Sequence, residues 1–174
     1  MEYELGYSTG IFIGLFAGLM LVSILIRLMR KNHGLKGEYD ERQELIRGRG
    51  FKIGFFTFLI GIAAVTVLNG FLADYVSCTV LNFTVLCVSV LCYACYCIWN
   101  EAYFALNDNP KSFLIISGVI GIINLAGGIS PFLRHTVVLS DPLPKGVLNL
   151  MCGLLFTGIF LTLGIKQLVT KEED

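Results

Sequence analysis

IGFFTFLIGIAAVTVLNGFLA, residues 53–73, runs for 21 residues without one Asp, Glu, Lys or Arg. It follows directly on Arg47-Gly48-Arg49-Gly50-Phe51-Lys52, so a cationic run gives way abruptly to an apolar one. A helix needs about 20 apolar residues to cross the hydrocarbon core of a bilayer. Four more stretches repeat the pattern: Leu5–Ile26, Thr79–Asn100, Ser112–Leu133 and Gly146–Ile165, of 22, 22, 22 and 20 residues. Together the five hold 107 of the 174 residues. Charged residues make up 15% of the chain, against about 25% in an ordinary soluble domain. With 55% hydrophobic residues and a mean hydropathy of +0.74, the composition excludes a soluble enzyme, a nucleic-acid-binding domain and a secreted disulfide scaffold. In lipid each segment must satisfy its own backbone, so the spans are helices; a barrel would need alternating strands of about ten residues. The expected fold is an all-α, polytopic transmembrane helical bundle, one integral membrane domain over residues 1–174. Its five spans fall at about 5–29, 51–73, 79–99, 112–132 and 146–166, with a cytoplasmic segment at 30–50.

Net charge is zero, but the basic residues are segregated. Eight of thirteen lie between Arg27 and Lys52, while the residues before the first span carry Glu2 and Glu4 and no cation. Lys and Arg collect on the cytoplasmic side of membrane helices. Alternating from there, eleven basic residues fall inside, and only Arg134 and Lys145 outside. The reading is N-terminus out, C-terminus in. The acidic start, and the run Ile26-Arg27-Leu28-Met29-Arg30-Lys31 after the apolar stretch, suit a retained helix rather than a cleaved signal peptide.

The connections are short. The turn around Asp74–Cys78 makes the second and third spans an antiparallel hairpin, and Asn107-Asp108-Asn109-Pro110 is a stop-and-turn signal before the fourth. Pro131, Pro142 and Pro144 are expected to break the chain in the last connection. Tyr93, Tyr96, Trp99 and Tyr103 gather at one end of the third span, as an aromatic belt would.

Gly6, Gly10, Gly14 and Gly18 form a glycine zipper along one face of the first span, a place for close helix packing or a homo-oligomer contact. Gly54, Gly61, Gly118, Gly121 and Gly153 point to the same close packing elsewhere. Cys92, Cys95 and Cys97 include a CxxC, but inside an apolar span burial raises a thiol pKa, so they read as small apolar filler rather than a redox motif. No second ligand pair sets up zinc, and His33 and His135 fall in loops on opposite sides. No cofactor or metal is implied. The charge-free stretches that form the spans hold no His either, which argues against a pump or proton relay. Asn69, Asn82, Asn124 and Asn149 are the intramembrane polar residues, expected to act as packing and hydrogen-bonding glue.

The cytoplasmic segment has internal order. Asp40 followed three residues later by Gln43 is a capping-box pattern, so a helix should start near Glu41. It would either continue through Gly48 and Gly50, a soft point, or dock on other spans through Leu45 and Ile46. Asp40, Glu41, Arg42, Gln43 and Arg47 are thus the candidate contact element. The Asp40-Glu41-Arg42-Gln43 run, the Ile46-Arg47 pair and the membrane helix that follows resemble a group of small bacterial multi-pass membrane proteins known only as a domain of unknown function. The resemblance implies a bacterial inner-membrane setting and carries no activity, substrate or catalytic residue.

No nucleophile–base set, phosphate loop or paired catalytic carboxylates appear, so the chain is expected not to be an enzyme. The function expected is that of an adaptor, regulator or accessory subunit acting through helix packing and the cytoplasmic segment. The rival is a small oligomeric transporter or channel with the Asn residues along a path. Expected partners are the lipid bilayer, a membrane or cytoplasmic protein, and a second copy of the chain; nucleic acid is not among them.

Overall fold

The computed structural model describes Met20 and residues 39–106, 108–141, 144 and 146–173. The chain divides into two compact units, Met1–Gly37 and Glu38–Asp174, and the architecture below is that of the second. Apart from Met20, the first expected span, with Gly6, Gly10, Gly14 and Gly18, lies outside the described residues.

The described residues form four helices: α1 Glu41–Leu72, α2 Cys78–Trp99, α3 Pro110–Leu133 and α4 Val147–Glu173. All four are long and apolar enough to cross a membrane, which makes this an all-α, multi-pass membrane protein. Local chemistry sets the starts. Asp40 caps α1, and its carboxylate accepts from the Gln43 N–H while the Gln43 side chain accepts from the Asp40 N–H. Ser77 caps α2 through the Val80 N–H, and Asn109 caps α3 through the Lys111 N–H with Pro110 in the first turn.

Of the two alternatives for the segment before the second span, the structure takes the continuous one: α1 begins at Glu41 and passes Gly48 and Gly50 unbroken. One boundary corrects the sequence reading, since Pro131 lies within α3 and not in the connection after it. Proline there gives up the bond to the Gly127 carbonyl, and the helix ends two residues later at Leu133, with the proline ring packed against Gly146.

Small residues set the packing. On the α1–α2 seam, Gly50 faces Tyr93, Tyr96 and Cys97, Gly54 faces Ser89 and Tyr93, and Gly61 faces Val85, an antiparallel pairing. α3 and α4 are also antiparallel: a Cβ at Gly128 would meet the Leu150 backbone at 2.6 Å, and one at Gly153 would meet Leu125 N at 2.7 Å. Backbones approach this closely only where neither side chain intervenes. α2 and α4 run parallel, with Thr84 on Met151, Leu91 on Gly158 and Cys95 on Thr162.

The spatial order is therefore α1–α2–α4–α3, a row in which, among the described elements, each outer helix has one neighbour. The core lies between α2 and α4, where Ala94, Ile98, Ile159 and Leu163 are buried. At the Ser77 end, the Ser77 N–H donates to the Leu139 carbonyl at 2.8 Å, tying the α1–α2 turn to the α3–α4 loop.

Candidate functional site

The opposite end gathers the N-terminus of α1, the α2–α3 loop and the C-terminal turns of α4. Gln43 is its hinge pin. Its side-chain oxygen belongs to the capping box, so its amide nitrogen is left to reach outward. That nitrogen donates to the Glu101 carbonyl at 2.9 Å and to the Phe104 carbonyl at 3.3 Å. One side chain thus closes its own helix start and holds a loop nearly sixty residues away.

Glu101 is the second junction. Its φ of 59° is left-handed, a conformation that costs a non-glycine residue about 1–2 kcal/mol. The turn is held by the Glu101 N–H on the Ile98 carbonyl and the Ala102 N–H on the Cys97 carbonyl. From it the carboxylate reaches Lys166 on α4 at 3.0 Å. Both partners are partly exposed, so this pair orients the elements more than it stabilises them.

The loop is then pinned from below. Tyr103, Phe104 and Phe113 meet edge to face with ring centroids 5.1–5.5 Å apart, and Asp108 accepts from the Ala105 N–H at 3.0 Å. Burial pushes the Tyr103 phenol above its ordinary pKa, so it stays neutral. Between loop, α1 and α4 opens a cavity of about 540 Å³, floored by Ile98, Phe104 and Leu163 and rimmed by Gln43, Glu101, Lys166 and Gln167.

The five residues of the expected contact element take different roles. Asp40 and Gln43 meet in the capping box, and Gln43 also reaches the α2–α3 loop by hydrogen bond. Arg47 lies with its guanidinium 3.8 Å from the Tyr39 ring centroid, a cation–π contact. Glu41 and Arg42 are exposed. With α1 continuous into the span, the alternative of docking through Leu45 and Ile46 is not the one taken: Leu45 is 68% exposed and Ile46 half-buried. The seam of α1 follows Gln43, Gly50 and Gly54, and Leu45 points away from it.

The four asparagines lie one on each helix. The Asn82 amide donates to Cys78 and that of Asn124 to the Ile120 carbonyl, each within its own helix. Asn149 lies against Gly127 on α3, and Asn69 is half-buried near the end of α1. All six cysteines are free, and Cys95 meets the Thr162 hydroxyl at 3.3 Å. Among the described residues no group of three His, Cys, Asp or Glu side chains is close enough to hold a metal ion.

Sequence reasoning missed Glu101 and Lys166, although a signal was there. They are the first charged residues after the charge-free runs Thr79–Asn100 and Gly146–Ile165, and thus mark two helices at the same end. Compared with protein-family models, curated proteins and solved structures, the chain matches none. Function is therefore argued from the site.

Proposed function

We infer that the protein is a non-enzymatic adaptor, regulator or accessory subunit of a bacterial inner membrane, and that the Asp40 end is its contact face. The observation that carries this reading is the double engagement of Gln43, which makes the start of α1 and the Glu101–Phe104 loop one rigid surface. A mere topogenic anchor needs cations in any order. This one places a donor where two loop carbonyls await it. The resemblance of residues 40–43 to small bacterial membrane proteins supports the setting. The rival reading, an oligomeric transporter or channel, asks the asparagines to share a path, whereas the Asn82 and Asn124 amides are turned to partners within their own helices.

In this reading residues 5–29 add a fifth span, with the N-terminus outside and the C-terminus inside. Lys52, Lys111 and Lys166, near the Asp40 end of α1, α3 and α4, support that side as the cytoplasmic one. On a cysteine-free background, a cysteine at position 36 should be labelled from the cytoplasmic side only; labelling in intact cells from outside sinks the topology.

The adaptor reading is tested by purifying the full chain from its native membrane beside a variant with residues 40–47 scrambled at constant composition. A stoichiometric protein that accompanies the first and not the second supports it. Ion or solute flux in liposomes, with no such protein, supports the transporter instead.

A further inference from the structure

The face of α1 opposite its seam carries a second pattern. The seam runs through Gln43, Gly50, Gly54 and Gly61, whereas Arg42, Leu45, Arg49, Lys52, Phe56, Ile60 and Val67 recur at spacings of three, four and seven on the other side. All seven are exposed, Ile60 and Val67 at 69% each. Among the described residues, Arg42, Arg49 and Lys52 enter no ion pair; the pair between Glu101 and Lys166 lies across the helix. Below Lys52 the stripe is wholly apolar, and above it Arg42 and Arg49 flank Leu45.

Helix rise fixes the levels. From Leu72 back to Lys52 is about 30 Å at 1.5 Å per residue, the thickness of the hydrocarbon core. Lys52 thus stands at the core boundary, and Arg49 about 4.5 Å beyond it, in the headgroup layer. Side chains on a helix lean toward its N-terminus, so Lys52 also extends into that layer. Gly48 has no neighbour within 4 Å of where a Cβ would stand, and it opens a shallow concavity shared with Leu45, Arg49, Lys52, Glu41 and Glu44.

We propose that this stripe is a binding site for an anionic phospholipid whose headgroup ends in hydroxyls, as phosphatidylglycerol does. The phosphate sits between Arg49 and Lys52, with Arg42 adding attraction from further out. The acyl chains lie along Phe56, Ile60 and Val67. Glu41 and Glu44, one to two turns beyond Arg49, accept hydrogen bonds from headgroup hydroxyls and repel a second phosphate. The continuity of cations with a lipid-exposed apolar stripe selects a lipid over a soluble phosphate, since a soluble ion gains nothing from Phe56, Ile60 or Val67.

The full chain in a neutral detergent provides the test. Phosphatidylglycerol should raise its melting temperature in a saturable way, and raised salt should weaken the effect. Phosphatidylcholine and free glycerol phosphate should do neither. The double variant Arg49→Gln/Lys52→Gln should bind phosphatidylglycerol about tenfold or more weakly, since each cation near a lipid surface contributes appreciably. Gly48→Leu changes no charge and fills open space on an exposed helix face, so it should fold and also weaken binding. Equal stabilisation by the two lipids overturns the proposal. So does an equal response to glycerol phosphate, which would make the stripe a simple anion site. Unchanged phosphatidylglycerol affinity in both variants would do the same.

Discussion

Gln43 offers a substitution that separates its two jobs. Gln43→Glu keeps the capping box, since glutamate at that position accepts from the cap residue's N–H as glutamine does. It cannot donate to the Glu101 and Phe104 carbonyls, and its charge would face them. The expected cost is about 1–3 kcal/mol, read as a lowered midpoint in detergent unfolding, with the capping box itself retained. A glycine pair makes a sharper contrast. At Gly128 an added Cβ would fall 2.6–2.8 Å from Leu150, two of the three nearest atoms being backbone, so Gly128→Ala should destabilise by about 1–3 kcal/mol. At Gly70 nothing lies within 4 Å, and Gly70→Ala should stabilise by about 0.5–1 kcal/mol through the helix preference of alanine. If both alanines behave alike in the same assay, the α3–α4 contact is looser than these distances require. Sequence alone does not separate these glycines, because both sit in apolar helical stretches and only the neighbour differs.

Elements are more legible in the sequence than their partners. Charge-free runs locate the cores of all four described helices, since a membrane span must exclude charge along its whole length. Asp40 with Gln43 marks one helix start to the residue, because capping is local chemistry, whereas Asn109-Pro110 reads only as a turn although it caps and opens α3. What chemistry does not carry locally is misread. Pro131 reads as a breaker until the helix end two residues later is known. The asparagines read as interhelical glue, yet Asn82 and Asn124 bond within their own turns, as Thr66, Thr84 and Ser89 do with carbonyls four residues back. In lipid that internal partner is always within reach, whereas a neighbour's is not. Leu45 reads as a docking residue for being apolar, but the seam is set by the glycines that let α2 approach. The start of α1 makes this testable. Eight residues alone are too few for a stable helix in water, so residues 41–48 owe their order to continuity with the span and to Gln43. Amide hydrogen exchange should show protection from Leu45 through Gly50, and Gln43→Glu should weaken it selectively there.

Across the whole molecule, the row α1–α2–α4–α3 has a consequence that no hairpin-by-hairpin arrangement shares. Chain neighbours α2 and α3 are joined by only ten residues, yet α4 packs against α2 while α3 lies beyond it. Inserting α4 there makes α2 and α4 parallel, so positions 67 residues apart sit level, as Thr84 with Met151 and Cys95 with Thr162 do. The size of these side chains explains the choice. The α2 face offers Leu91 to Gly158, and the α3 face offers Gly118 to Phe160 and Gly128 to Leu150, so α4 interlocks on both sides. Because Cys95 Sγ already lies 3.3 Å from the Thr162 hydroxyl, Thr162→Cys places two thiols at bonding range without altering α2. With the other five native cysteines replaced, mild oxidation in the membrane should close a disulfide between Cys95 and the introduced thiol within one chain, visible as faster migration in a denaturing gel. A control carrying Cys95 with Leu161→Cys, one residue off and exposed, should remain open. Closure of the control and not of the Thr162 variant, or a bond only between two chains, would mean that α4 does not run beside α2 in this register. The order of the row, and with it the side-by-side meeting of Glu101 and Lys166, would then have to be redrawn.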